Sequence, residues 1–87
     1  MPDNDGMKYW PAVRDLLKWI NDQHDPDKMG HDIPLTEYGF DSMDFFELSQ
    51  ELSERHGIEI TDKDYPRLTT ISGILCYLNE VVGEKAA

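Results

Sequence analysis

The chain of 87 residues carries 18 acidic against 8 basic side chains, a formal net charge of −10. That balance excludes a nucleic-acid backbone as partner, which needs a surplus of Lys and Arg on some face, and points instead to basic protein surfaces. The length suits one domain with one small core, burying about 60–65% of the surface exposed on unfolding, and a single cysteine, Cys76, excludes an internal disulfide and multi-cysteine metal sites and fits a reducing compartment. No apolar run approaches the roughly 18–20 residues of a membrane span. Met1-Pro2-Asp3-Asn4-Asp5 lacks the basic and apolar parts of a secretory signal, so the expectation is a cytoplasmic protein with no membrane partner. Self-repulsion predicts modest stability that rises with salt or divalent cations.

Residues 1–8, polar and acidic with Pro2 and Gly6, read as a disordered arm. Val13, Leu16, Leu17 and Ile20 recur at helical spacing, with Trp10 one turn earlier and Arg14, Asp15 and Lys18 opposite. Proline is tolerated only in a first turn, so Pro11 sets the helix start near Tyr9 to Pro11, and the pattern predicts an end near Gln23. Trp19 lies off the stripe and is expected to pack at the edge of the core, while residues 24–37, with Pro26, Gly30 and Pro34, read as a long connector. Ile33 and Leu35 are expected to tuck over the core, and long ordered loops are often functional.

Gly39-Phe40-Asp41-Ser42-Met43-Asp44 reads as a helix N-terminus, with Asp41 as N-cap and Asp44 adding a second acid to the first turn. Ser42 falls at the first helical position, where an anion attached to its hydroxyl would meet the positive end of the helix dipole and unpaired N–H groups. The helix is predicted over 42–56, ended by Gly57 in a left-handed conformation, with Phe45, Leu48 and Leu52 inward. Met43, Phe46 and Gln50 share another face, which suggests either a docking strip beside Ser42 or, for Phe46, a second core aromatic. Asp44, Glu47, Glu51 and Glu54 align four carboxylates along one side.

Ile58-Glu59-Ile60 alternates like a strand but has nothing to pair with, so a loop burying both isoleucines is expected. Thr61 or Asp62 caps a short turn over Lys63-Asp64-Tyr65 that Pro66 should cut off. A last helix is predicted from Thr69 or Thr70 on the stripe Ile71, Ile74, Leu75, Leu78, Val81 and Val82, stopped by Gly83, with residues 84–87 a frayed tail and Cys76 a small buried hydrophobe. The expected fold is all-α: a small four-helix bundle of three long helices and a short third one, with a long first loop, over residues 9–83.

The motif Gly39-x-Asp41-Ser42-Met43, followed by Asp44, Glu47 and Leu48, resembles the Asp-Ser-Leu segment of acyl carrier proteins. The likeness continues through Gln50 to Ile60, Thr61 to Asp64, Leu68 to Ile71 and Tyr77-Leu78, covering about fifty residues in order. The resemblance implies a four-helix fold and a non-catalytic carrier whose Ser42, flanked by Asp41 and Met43, takes a covalent 4′-phosphopantetheine arm from coenzyme A. Acyl or aminoacyl groups would ride on that arm as thioesters, in fatty-acid, polyketide or other specialised biosynthesis. It also implies that Asp44, Phe46, Glu47, Gln50, Glu51 and Glu54 face partners: a phosphopantetheinyl transferase, an acyl- or aminoacyl-activating ligase and synthase enzymes with basic patches. A stand-alone monomer is expected. Three departures leave the cargo open: Met43 in place of leucine, His56 where an aromatic precedes the glycine, and the run Asp64 to Leu68. Phe45, Phe46 and Tyr77 suggest a bulkier lining than in carriers whose interior sheaths a fatty chain.

Rival chemistries are weaker. No His-plus-acid arrangement surrounds Ser42, and His24, His31 and His56 sit in no recognisable motif. Asp25 and Asp27 with Gly30 match positions 1, 3 and 6 of an EF-hand loop, but Met29 holds position 5, Glu37 comes one residue late and Pro34 falls where the exit helix should form, so no metal site is expected. An acidic interaction module without a prosthetic group shares every feature except the use of Ser42.

Overall fold

The computed structural model describes residues 7–86, the last three by backbone alone. Of the expected arm, residues 1–6 lie outside the described residues, as do residue 87 and the side chains of 84–86. The order of elements is α1 (Trp10–Ile20), two 3₁₀ turns in the long loop (Pro26–Lys28 and Leu35–Tyr38), α2 (Ser42–His56), a 3₁₀ helix (Asp62–Leu68) and α3 (Ile71–Ala86). This is the expected all-α bundle, with the short third helix in 3₁₀ form, and no strand occurs among the described residues.

Each long helix buries the stripe its spacing marks. Val13, Leu16 and Leu17 meet Leu48 and Leu52 of α2 and Ile71, Ile74 and Leu78 of α3, all at most 1% exposed, and each such side chain contributes about 1.5–3 kcal/mol on burial. The loop is part of this core, through Met29, Leu35 and Phe40. Ile33, expected inside with Leu35, is 42% exposed. It leans on Gly30, where a Cβ would lie 2.6 Å from its Cγ1.

Four further expectations are corrected. Trp19 is 62% exposed rather than at the core edge, because two residues past Leu17 it stands about 200° round the helix. Helix α1 ends at Ile20, not near Gln23, since Asn21 is extended and its carboxamide binds elsewhere: Oδ1 accepts from the Gln23 N–H at 3.1 Å and Nδ2 donates to the Gly39 carbonyl at 3.2 Å. Asn side chains compete with helical bonds in this way. Cys76 is exposed, its Sγ 3.4 Å from Glu80 Oε2, and Tyr77, 2% exposed, takes the buried position instead. Helix α3 continues through Gly83 to Ala86, a glycine costing a helix only about 1 kcal/mol.

The loop is tied across the bundle to the start of α3. The Leu35 N–H donates to the Thr69 carbonyl at 2.8 Å and the Ser72 N–H to that of His31 at 2.9 Å. Inside the loop the Gly30 N–H donates to the Tyr38 hydroxyl at 2.8 Å. Pro66 does not end the short helix, which runs on to Leu68. That helix is bound to α3 by the Tyr77 hydroxyl, which donates to Asp64 Oδ2 at 3.1 Å, and by a 2.7 Å pair between Arg67 and Glu80. Glycine is required at 73, where a Cβ would lie 2.2 Å from the Arg67 carbonyl oxygen. The Thr61 backbone N–H, and then the Tyr77 hydroxyl, hold the Asp64 carboxyl below the usual range.

Candidate functional site

Ser42 is positioned by three local devices. Gly39, at φ 92°, turns the chain out of the Leu35–Tyr38 turn in a left-handed conformation that glycine adopts without strain. Phe40, 4% exposed, anchors the next residue, its ring 6.4 Å from that of Phe45. These two stand just before the N-cap and at the fourth helical position, the arrangement of a hydrophobic staple. Between them a reciprocal cap closes: Asp41 Oδ1 accepts from the Asp44 N–H at 2.9 Å and Asp44 Oδ2 accepts from the Asp41 N–H at 3.1 Å. At the far end Gly57, at φ 63°, stops α2 as expected, with the Gly57 and Ile58 N–H groups both donating to the Ser53 carbonyl.

The Ser42 side chain is exposed and its hydroxyl makes no hydrogen bond with any described residue. The N–H groups of Ser42 and Met43 precede the first helical bond, which the Phe45 N–H makes to the Asp41 carbonyl at 3.0 Å. A phosphodiester on Ser42 Oγ therefore fits: it projects into solvent at the positive end of the helix. No histidine among the described residues is hydrogen-bonded to Ser42.

A cleft of about 410 Å³ opens beside Ser42, between α2 and the 3₁₀ helix, lined by Phe45, Asp62, Tyr65, Pro66 and Leu68. On the other side of α2's first turn, Met43 and Phe46, 78% and 55% exposed, border a second concavity with Asp41, Glu47 and Gln50. Phe46 is thus a surface residue, not a second core aromatic. A third cleft of about 290 Å³ lies between Phe46, Ser49, Ser53, Ile60 and Tyr65. Ser49 is buried and donates to the Phe46 carbonyl at 2.8 Å.

The four carboxylates on α2 are not equivalent. Asp44 is half-buried in the cap and also lies 3.4 Å from Asn21 Nδ2. Glu51 pairs with Arg55 at 3.1 Å. Glu47 and Glu54 are exposed and paired with no described residue. The calcium-like run is used otherwise: Asp25 Oδ1 accepts from the Asp27 N–H at 3.0 Å, capping the Pro26–Lys28 turn, and Asp27 lies 3.9 Å from Arg14. Among the described residues no three His, Cys, Asp or Glu side chains are grouped to hold a metal, and no helix is long and apolar enough to cross a membrane.

Absent from the sequence-based expectations are the Phe40–Phe45 contact and the cleft residues Asp62, Tyr65, Pro66 and Leu68. The first has a signal, two aromatics spaced across an N-cap. The others line a cleft with Ser42 only because the short helix, packed on α3, lies across from the start of α2.

The family model described as phosphopantetheine attachment site matches residues 12–78, from within α1 to Leu78 of α3, and the chain belongs to this family of phosphopantetheine-carrying proteins. Its cofactor is covalent 4′-phosphopantetheine. Carrier domains of this family are generally non-catalytic and generally interact with phosphopantetheinyl transferases and synthase enzymes. No solved structure matches the chain.

Proposed function

We propose that Ser42 Oγ is the attachment point and that the protein is a stand-alone, monomeric, cytoplasmic carrier of acyl or aminoacyl groups for fatty-acid, polyketide or other specialised biosynthesis. The observation that carries the reading is an exposed serine, its hydroxyl without a partner among the described residues, at the capped, stapled start of α2. In attachment, Ser42 Oγ bonds to the phosphorus of coenzyme A's pyrophosphate nearest pantetheine. The bond from that phosphorus to the bridging oxygen breaks, adenosine 3′,5′-bisphosphate leaves, and the hydroxyl proton passes to a base of the transferase. When bound, the arm supplies a thiol that holds a carboxylic acid as a thioester on a flexible tether, raising its effective concentration at a partner's active site.

What the chain itself contributes is presentation and recognition. The double cap and staple hold Ser42 at one angle to α2, with the residue exposed to solvent. Asp41 and Asp44 repel the added charge, but by only about 1 kcal/mol or less across several Å of water. The docking face is the exposed side of α2: Met43, Phe46 and Gln50 give apolar and amide contact, and Glu47 and Glu54, with Asp44 and Glu51 beside them, give charge for a partner's Lys and Arg.

The test is intact-mass spectrometry after incubation with coenzyme A, Mg²⁺ and a broad-specificity phosphopantetheinyl transferase. The wild type gains one phosphopantetheine and one new reactive thiol besides Cys76, and Ser42→Ala gains neither. An unmodified wild type across several transferases, or a modified Ala variant, overturns the assignment.

A further inference from the structure

We propose that Tyr65 is the end-stop of the cleft that begins at Ser42, so that the protein holds against itself only a short acyl or aminoacyl cargo. This rests on Ser42 as the attachment point, which puts the cargo on an arm anchored at the mouth of the cleft.

The cleft walls are largely apolar, from Phe45, Tyr65, Pro66 and Leu68, so they favour hydrocarbon over water. At about 410 Å³ the space is at the small end of ligand-sized cavities. Its extension is blocked in two directions. Inward, Leu48, Leu52, Leu68 and Tyr77 are all at most 2% exposed and fill the bundle. Along the groove, Tyr65 is the one residue that lines both this cleft and the smaller one bounded by Phe46, Ser49, Ser53 and Ile60. Its hydroxyl lies 3.5 Å from Ser49 Oγ, so the side chain reaches from the 3₁₀ helix across to α2 and stands between the two spaces. Ser49 does not yield easily, being buried and bonded to the Phe46 carbonyl.

A cargo that ends before that ring fits on the Ser42 side of it. A longer one meets the ring and sends its remaining methylenes into solvent, forfeiting the gain of burial for each. Removing the ring joins the clefts into one trough from Ser42 to Ile60. Tyr65 is 36% exposed, so its truncation is a surface change with little claim on the core.

The experiment loads Ser42 directly from butyryl- and dodecanoyl-coenzyme A with a broad-specificity transferase, confirms loading by intact mass, and reads the melting temperature and the NMR shifts of Phe45, Leu68 and Thr69. In the wild type, butyryl loading moves these resonances and raises the melting temperature above that of the unacylated holo form. Dodecanoyl loading raises it no further. In Tyr65→Ala the dodecanoyl form melts higher than the butyryl form and shifts extend to Ser53 and Ile60, while Tyr65→Phe, which keeps the ring, behaves as the wild type. A dodecanoyl wild type that melts above the butyryl form, butyryl loading without shifts at Phe45 and Leu68, or a Tyr65→Phe that follows the Ala variant each overturns the end-stop. The wild-type comparison decides the matter even if the Ala variant folds poorly. Failure of mass gain at Ser42 refutes the attachment site itself, a result separate from loading that succeeds without length discrimination.

Discussion

Replacing Asp44 by Ala removes one half of the cap that presents Ser42, and the cost follows from its contacts. Asp44 Oδ2 accepts from the Asp41 N–H at 3.1 Å and lies 3.4 Å from Asn21 Nδ2; the second distance is near the limit of a hydrogen bond and carries little. Losing the first, together with a carboxylate in the first turn of a helix, costs about 1 kcal/mol, with a few tenths returned by alanine's better helix propensity. For a domain of this size the melting temperature falls by about 4–8 °C per kcal/mol. Glu47→Ala, one turn further along at an exposed site paired with no described residue, changes stability by no more than about 0.5 kcal/mol. Urea unfolding followed by circular dichroism measures both: the Asp44 variant shifts to a lower midpoint at unchanged slope, and the Glu47 variant stays with the wild type. Equal midpoints for the two variants refute the claim that the cap holds this end of α2.

Reversing Glu47 and Glu54 to Lys leaves the fold intact and weakens binding to the transferase and to cognate enzymes at low salt. Unchanged transferase kinetics across the salt range count against the docking face. Burial, and then the Asp64 carboxylate, push the Tyr77 hydroxyl from 10.0 up to about 12. A folded-state value raised above the unfolded one favours the protonated form, so this contribution is fully present below about pH 10 and lost as pH rises toward 12. Tyr77→Phe has no such component, and wild-type and variant urea midpoints that run parallel over this range disprove it.

The parts of the fold legible in the sequence are those whose signals are local. Asp41 and Gly57 mark the ends of α2 because a cap and a left-handed turn need only their immediate neighbours, and both fall where expected. What escapes depends on distant contacts or on angle. Asn21 leaves the helix to bind the carbonyl of Gly39, 18 residues on, which no window over α1 contains. Trp19 and Cys76 are misplaced when residue type is weighed above helical phase, since one apolar residue on the polar face of a helix carries no instruction to be buried. Pro66 is a stop signal for an α-helix, whereas here the chain passes through it in a 3₁₀ helix. The cleft beside Ser42 joins Phe45 to Tyr65, 20 positions apart, and only the packing of the short helix on α3, across from the start of α2, creates it.

The acidic side of α2 shows why residue pattern and function part company. Four carboxylates at helical spacing look interchangeable, yet two already have tasks: Asp44 closes the cap, and Glu51 pairs with Arg55. A partner's cation competing for either must displace an existing bond, whereas Glu47 and Glu54 offer their charge without that cost. Seven residues apart on one helix, those two stand about 10 Å from each other along the axis, with Gln50 between them and Phe46 between Glu47 and Ser42. On the docking face proposed above, a partner with two basic side chains at that separation and an apolar pocket for Phe46 receives Ser42 at one end of the contact.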